Sequence, residues 1–427
     1  MTTLLANWAA IGRTAGGIGL AILILLAMVS IHELGHYIAG KLLGFKITEF
    51  SIGFGPAIFK KRSKKTGEIF AVRIVPLGGY CAFDGEEYDE EDVRKEAQKH
   101  ADAEEKKEPF AEFPLAEEGE NSPTVYELNG EKEALGQDEE REEYPEPKGV
   151  RFNQQAPWKR IIVLVAGALM NYLLAVSLLL VMCFSYGVPM CIAIPADYNG
   201  EALVAVEWET PELSAADVIV EINGKKIGMY TDCMDAVQGK AAGESVPVEV
   251  YRLTEDGWKP KTVTLTLLAD ANFENSADIE ALKTAIGLQI GTQSVRMGFW
   301  RTVGGAFEYS GEMATSVLRT LGELVTGAFG SQTADVVGGP VSTIGMTAQI
   351  AVSSPFSFLY IASFIGVNLA VFNLLPVPAL DGCKVIFCLI EWIRKKPVNR
   401  KVEAAINFGG IIFLFGFAIL IDLLKIF

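Results

Sequence analysis

The sequence predicts a mainly α-helical polytopic membrane protein, with about four transmembrane helices, a membrane-associated β-hairpin and one small extracytoplasmic α/β domain. Three observations carry that prediction. Half of the 427 residues are hydrophobic while 21% are charged, and the mean hydropathy is +0.27, values that coexist only if charge and apolarity are segregated along the chain. Long apolar runs do segregate them, at residues 16–31, 161–186, 356–375 and 406–424, against the roughly 20 residues that cross a bilayer. Lys and Arg gather in three short loops beside these runs.

The first unit, residues 1–83, holds the first span. His32, Glu33 and His36 interrupt its apolar run, which resumes over residues 37–43. The run leads into this motif with no small-residue cleavage site before it, so no cleavable signal peptide is expected. After the basic residues Lys41, Lys46, Lys60, Lys61, Arg62, Lys64 and Lys65, residues 68–75 alternate weakly and stop at Pro76 and Gly78-Gly79. They read as a hairpin strand, or as one that dips into the membrane.

Residues 84–148 form an acidic insertion. It holds 25 Asp and Glu against 8 Lys and Arg, a net −17 in a chain of net −16. Such a segment is too polar to pack a core and reads as a solvated, largely disordered cytoplasmic loop. The remainder of the chain is near neutral, so the low pI implies no global preference for basic partners. No nucleic acid is expected among the partners.

Residues 149–187 carry the second span, preceded by Lys148, Arg151, Lys159 and Arg160. The next unit, 188–270, reads as the α/β domain. Residues 218–222 alternate into Asn223-Gly224, a strong hairpin signal. Residues 246–252 and 262–267 alternate likewise, with a short helix expected near 232–238. Residues 271–355 read as a linker with amphipathic or half-buried helices, and 356–427 as the third and fourth spans. Between those two spans lie Arg394-Lys395-Lys396, Arg400 and Lys401. Four spans put all three basic clusters on one side, the cytoplasmic one, with both termini and the α/β domain outside.

His32-Glu33-Leu34-Gly35-His36 is the chemical centre of this reading. On a helix the two histidines fall at i and i+4, face the same way and can hold one Zn²⁺. Glu33 then lies where it can take a proton from water activated by the metal. Ionisable residues inside an apolar span are costly and mark function. An open catalytic site needs a third protein ligand. The chain's third histidine, His100, lies in the acidic insertion, so a carboxylate is expected. Of Asp381, Glu391 and Asp422, only Asp381 matches the depth of His32, which stands nine residues from Lys41 as Asp381 stands thirteen from Arg394. The six cysteines form no CxxC pair, and Cys183, Cys383 and Cys388, in or beside apolar runs, read as packing residues.

Two other readings compete. A metal transporter or sensor would need a polar path through the other spans, which offer Asn171, Ser177, Asn407 and Asp422. A catalytically dead scaffold would have no need of His32, Glu33, His36 and Asp381 together.

The same residues resemble the site-2 proteases, intramembrane zinc metalloproteases, and within them the bacterial PDZ-containing branch typified by the regulator of sigma-E protease. The resemblance runs through His32–His36, Phe50-Ser51-Ile52-Gly53-Phe54-Gly55-Pro56, Pro76-Leu77-Gly78-Gly79-Tyr80, Gly167 to Asn171, Gly339-Pro340 and Asn373-Leu374-Leu375-Pro376-Val377-Pro378-Ala379-Leu380-Asp381-Gly382. Leu213 to Gly224 resembles a PDZ segment, with Glu212 and Ala216 where glycines are common. Ala168 and Cys383 also depart from the family pattern, and the acidic insertion has no counterpart in it. The resemblance implies Asp381 as third zinc ligand, Asn373 as a substrate-holding residue, and a β-hairpin that receives the substrate. An unwound substrate segment needs backbone partners in lipid, which an edge strand can supply. Residues 69–75 are expected to be that edge, with Ile69, Ala71, Val72 and Arg73 in contact with substrate. Expected partners are the lipid bilayer and transmembrane substrates, such as a trimmed anti-sigma factor or signal-peptide remnants. The expected location is the bacterial inner membrane.

Overall fold

The computed structural model describes residues 2–86, 144–194, 213, 217–228, 230–255, 257–273, 278–287, 289–326 and 340–426. Most of the acidic insertion, His100 included, lies outside the described residues, as do residues 214–216 of the PDZ-like segment and Gly339.

Helix α1 (Thr2–Leu43) runs unbroken through the metal motif. Two long strands follow, β1 (Ile47–Arg62) and β2 (Ile69–Phe83). Each strand is used twice. Ala57–Arg62 pairs with Ile69–Arg73 across the turn, while Glu49–Ile52 pairs in reverse order with Gly79–Ala82. Glu49–Ile52 also lies beside Ile69–Val72, in the same order. The four segments therefore lie side by side as 57–62, 69–73, 49–52 and 79–82. The expected edge strand is thus corrected: Ile69 to Val72 has a partner on both sides, and among the described residues the free edges are 57–62 and 79–83. The pairing also carries β2 past Pro76, where the strand was expected to end. Phe54, Ile58, Phe59, Val72, Ile74 and Val75 are exposed, and most of them gather at the end of the sheet away from the 63–67 turn, an apolar surface suited to lipid. Arg73 ties the sheet from within. Its guanidinium donates to Ser51 Oγ at 2.9 Å, to Gly55 O at 2.7 Å and to Tyr80 Oη at 2.8 Å, and it pairs with Glu49.

Helix α2 (Pro157–Tyr186) leads into a six-stranded sheet. Its elements are β3 (Val188–Ile194), β4 (Val218–Ile222), β5 (Lys225–Lys226), α3 (Tyr230–Val237), β6 (Ser245–Thr254), β7 (Gly257–Thr266), α4 (Ile279–Ile286) and β8 (Gln289–Val295). The strand order is β7-β6-β4-β3-β8, with β5 beside β4. Asn223 and Gly224 turn the chain between β4 and β5 with φ of 53° and 79°, as a two-residue hairpin requires. Val246, Val248 and Val250 alternate into the core with Ile219, Ile222, Cys233 and Leu282, each such apolar side chain contributing about 1.5–3 kcal/mol on burial. The buried Asp217 carboxylate takes two hydrogen bonds from Arg252, at 2.8 and 2.6 Å. β8 pairs with β3 along its whole length. The α/β unit therefore runs to Val295, beyond the boundary at 270 expected from alternation alone.

Helices α5 (Phe299–Thr326), α6 (Pro340–Ala351), α7 (Pro355–Leu374), α8 (Asp381–Arg394) and α9 (Arg400–Ile426) complete the described chain. Four helices are long and apolar enough to cross a membrane, at Thr14–Leu43, Pro157–Tyr186, Pro355–Leu374 and Lys401–Leu423. They match the four apolar runs. α7 starts on a Ser354 cap whose hydroxyl accepts from Ser357 N, with proline at the first helical position. It stops at Leu374 because Pro376 and Pro378 cannot continue it, and α8 resumes toward the basic loop. α2 is the central helix, packed by α1, α5, α7 and α8. Glycines let the backbones close: a Cβ on Gly35 would lie 2.4 Å from Ala166 O, and one on Gly366 2.9 Å from Ala175 Cβ. At one end of the bundle Gln155 Nε2 donates to Gly44 O at 3.2 Å and Arg160 pairs with Glu391, so the three basic clusters come together there. At the other end Tyr186 meets Phe356 edge-on, next to the α/β unit.

Candidate metal centre

α1 and the broken α7–α8 segment bring the predicted residues together. His32 Nε2 lies 3.0 Å from Asp381 Oδ2 and 3.0 Å from His36 Nε2, and His36 Nε2 lies 3.3 Å from Asp381 Oδ2. The helical i, i+4 spacing aims both imidazoles at one point, and Asp381 reaches it from the first turn of α8. Both histidines are buried. Three donors about 2.0–2.1 Å from a tetrahedral ion stand about 3.3 Å apart, so the triangle fits Zn²⁺. Its donor set, two imidazoles and a carboxylate, also fits that ion and leaves a fourth position open.

Space for the cluster comes from Gly167 on α2. A Cβ there would stand 2.5 Å from His36 Nε2 and 2.7 Å from His32 Cε1. The second ring nitrogens are held too. His36 Nδ1 donates to Val163 O at 2.8 Å. Near His32 Nδ1 lie two carboxamides, with Nδ2 of Asn171 at 3.4 Å and of Asn373 at 3.5 Å. Asn171 Oδ1 is buried and has no partner among the described residues. A half-turn of that amide places the oxygen on Nδ1–H, which fixes the tautomer that offers Nε2 to a metal. In the sequence Asn171 is a polar residue in a span and the end of the Gly167 to Asn171 motif; its contact with His32 shows only in the fold, and an amide in an apolar run is the signal for it.

Glu33 faces the same space. The Cys81 N–H donates to its carboxylate, and a Cβ on Gly79 would approach its Cγ to 3.4 Å. A cavity of about 680 Å³ lies between the metal cluster and the 80–84 segment, bounded by Val163, Leu164 and Lys384. Lys384 Nζ pairs with Glu86 at 2.8 Å, and Asp84 with Lys46 at 2.8 Å and Arg151 at 2.9 Å. Partial burial raises the Asp84 carboxyl, but these two cations outweigh it and hold the group below its usual range. The cavity wall is thus charged yet internally paired.

Of the residues expected to touch substrate, Asn373 lies at the cluster. Ala71 is buried in the sheet, Val72 is exposed, and Arg73 is spent on the internal network described above. The strand that borders the cavity is 79–83, not 69–75.

Residues 20–417 match peptidase family M50. Among relatives, the chain is 30% identical to the regulator of sigma-W protease RasP of Bacillus subtilis, covering 92% of this chain and 94% of that one. It is 29% identical to the zinc metalloprotease RasP of Bacillus licheniformis, at 92% and 94% coverage. The zinc metalloprotease RasP of Shouchella clausii is 28% identical, at 91% and 93%.

Proposed function

The chain belongs to peptidase family M50 and is a zinc-dependent intramembrane protease; from that premise we propose that His32, His36 and Asp381 hold its Zn²⁺ and that Glu33 is the catalytic base. The observation that carries this reading is the triangle of donor atoms 3.0–3.3 Å on a side, inside apolar helices. When bound, Zn²⁺ supplies a Lewis acid that polarises the scissile carbonyl and acidifies the attacking water. Glu33, adjacent in sequence to His32, takes the proton from that water and passes it to the leaving nitrogen. Asn171 and Val163 O hold the two imidazoles in the ligating tautomer.

The substrate must be unwound before its backbone can reach this cluster. The free edge at 79–83 borders the cavity, so it is the segment placed to pair with an extended substrate. Asn373, whose amide can donate and accept, holds the substrate from the other side.

The joined basic ends support a cytoplasmic position for that end of the bundle. With four spans, both termini and the α/β unit then lie outside the bacterial inner membrane, and the acidic segment 84–148 on the inner side. The α/β unit acts as a PDZ-like gate that excludes untrimmed substrates. Because the Bacillus subtilis relative is named as a regulator of sigma-W protease, a trimmed anti-sigma factor is the first substrate to test, with signal-peptide remnants second. The test compares membrane peptides from cells carrying the wild type and Glu33→Gln. Accumulation of transmembrane fragments in the variant is expected, and identical peptide profiles would count against the reading.

A further inference from the structure

The third metal ligand is presented by an unusual turn. Ala379, two residues before Asp381, has φ of 77°, the left-handed region in which an L side chain crowds the following carbonyl. A non-glycine residue stays there only when its surroundings impose it. Those surroundings are on α9. The Ala379 N–H donates to Asn407 Oδ1 at 3.3 Å. One turn further along α9, Gly410 is buried against the same segment: a Cβ there would lie 2.3 Å from Pro378 Cβ and 2.8 Å from Pro378 O. Gly382 in turn allows the segment to close on itself, since a Cβ on it would lie 2.2 Å from Leu375 O. The chain between Leu374 and Asp381 is therefore clamped, and α9 supplies one jaw. Little of α9 is fully buried; Asp422 near its far end accepts from Ser342 Oγ of α6 at 3.0 Å, and the Asn407 and Gly410 contacts join it to the turn before Asp381.

We propose that Asn407 is a positioning residue: from the last span it holds Ala379 in the left-handed turn that delivers the Asp381 carboxylate to the metal. The inference rests on the reading of Asp381 as a zinc ligand. It makes the pose of α9 a determinant of metal affinity, although α9 carries no ligand itself. It also gives an amide in an apolar span a role that lipid exposure alone does not explain.

The test uses the full chain in detergent or nanodiscs and reads the zinc dissociation constant by chelator competition, with kcat and KM for a transmembrane substrate beside it. Asn407→Leu should weaken zinc binding by about tenfold or more, the range seen when groups that orient a ligand are removed, and lower kcat with KM unchanged. Adding Ala379→Gly should restore most of the loss, because glycine takes a positive φ without support. Gly410→Ala, which pushes α9 off Pro378, should reproduce the loss if Asn407→Leu folds poorly. Asp381→Asn separates the two claims. If it abolishes zinc binding while Asn407→Leu and Gly410→Ala bind zinc like the wild type, the positioning claim fails and the ligand stands. If Asp381→Asn keeps full zinc affinity, the ligand reading fails and takes the inference with it. A loss in Asn407→Leu that Ala379→Gly does not relieve would also overturn the turn as the route.

Discussion

His32 Nε2 and Asp381 Oδ2 stand 3.0 Å apart although 349 positions separate them in the chain. Everything between them, including the whole α/β unit and the acidic insertion, is inserted between the two halves of one metal cluster.

Gly167 should tolerate no side chain. A methyl group at this position would collide with both imidazoles, so Gly167→Ala is expected to lower bound zinc well below one ion per chain and to abolish cleavage. Metal analysis of the purified variant checks this, and full zinc content would remove Gly167 from the account.

Arg160 and Glu391 form a buried ion pair between α2 and α8, with side chains 7% and 8% exposed. Removing one partner leaves an unpaired buried charge, at a cost of about 3–5 kcal/mol. Glu391→Leu should therefore lower the unfolding temperature clearly, and the double variant Arg160→Met/Glu391→Leu should recover much of the loss. Thermal unfolding of the three proteins decides the point.

The double-sided pairing of Ile69 to Val72 carries a signature of its own. On an edge strand only alternate N–H groups bond within the sheet, whereas here each faces a neighbour on one side or the other. Proline at Phe70 and proline at Ala71 should both destabilise the hairpin, since each removes a ladder donor. Hydrogen exchange over residues 47–83 should rise in both variants. A rise in only one would restore 69–75 as an edge.

Glu312 on α5 faces the α/β unit, packed against Gly228. Its carboxyl is pushed up to about 7 by burial and then by the Asp232 carboxylate, partly offset by Arg319 and Lys225. Glu308, one turn back on α5, is 3.8 Å from Lys226. A folded value above the unfolded 4.5 means that this contact is strongest below about pH 4.5 and weakens as pH rises through about 7. Protection factors of the α3 amides, corrected for the intrinsic exchange rate at each pH, should accordingly fall between pH 5 and 8, and Glu312→Gln should flatten that dependence.

Much of this fold was legible in the sequence because the relevant signals are local. Apolar runs mark spans, the Val246, Val248 and Val250 alternation marks a strand, and Asn223-Gly224 marks its turn. Asp381 was legible for a different reason: counting residues from the basic loops gives depth in a membrane, and depth left one carboxylate. What escaped was non-local. Nothing near Ile69 reveals that Glu49–Ile52 covers its second side, and β8, whose Gln289-Ile290-Gly291-Thr292-Gln293-Ser294-Val295 is mostly polar, shows itself as a strand only against β3. Asn171 and Asn407 looked alike as lone amides in spans, and only their contacts assign one to His32 and the other to Ala379.

The central claim is that His32, His36 and Asp381 bind one zinc ion while Glu33 moves the proton. Zinc content and cleavage rate, measured together on purified wild type, Glu33→Gln and Asp381→Ala, test it most directly. About one zinc per chain is expected in the wild type and in Glu33→Gln, with cleavage lost in the latter, and loss of both in Asp381→Ala. Near wild-type cleavage by Glu33→Gln, or a full zinc complement in Asp381→Ala, would contradict it.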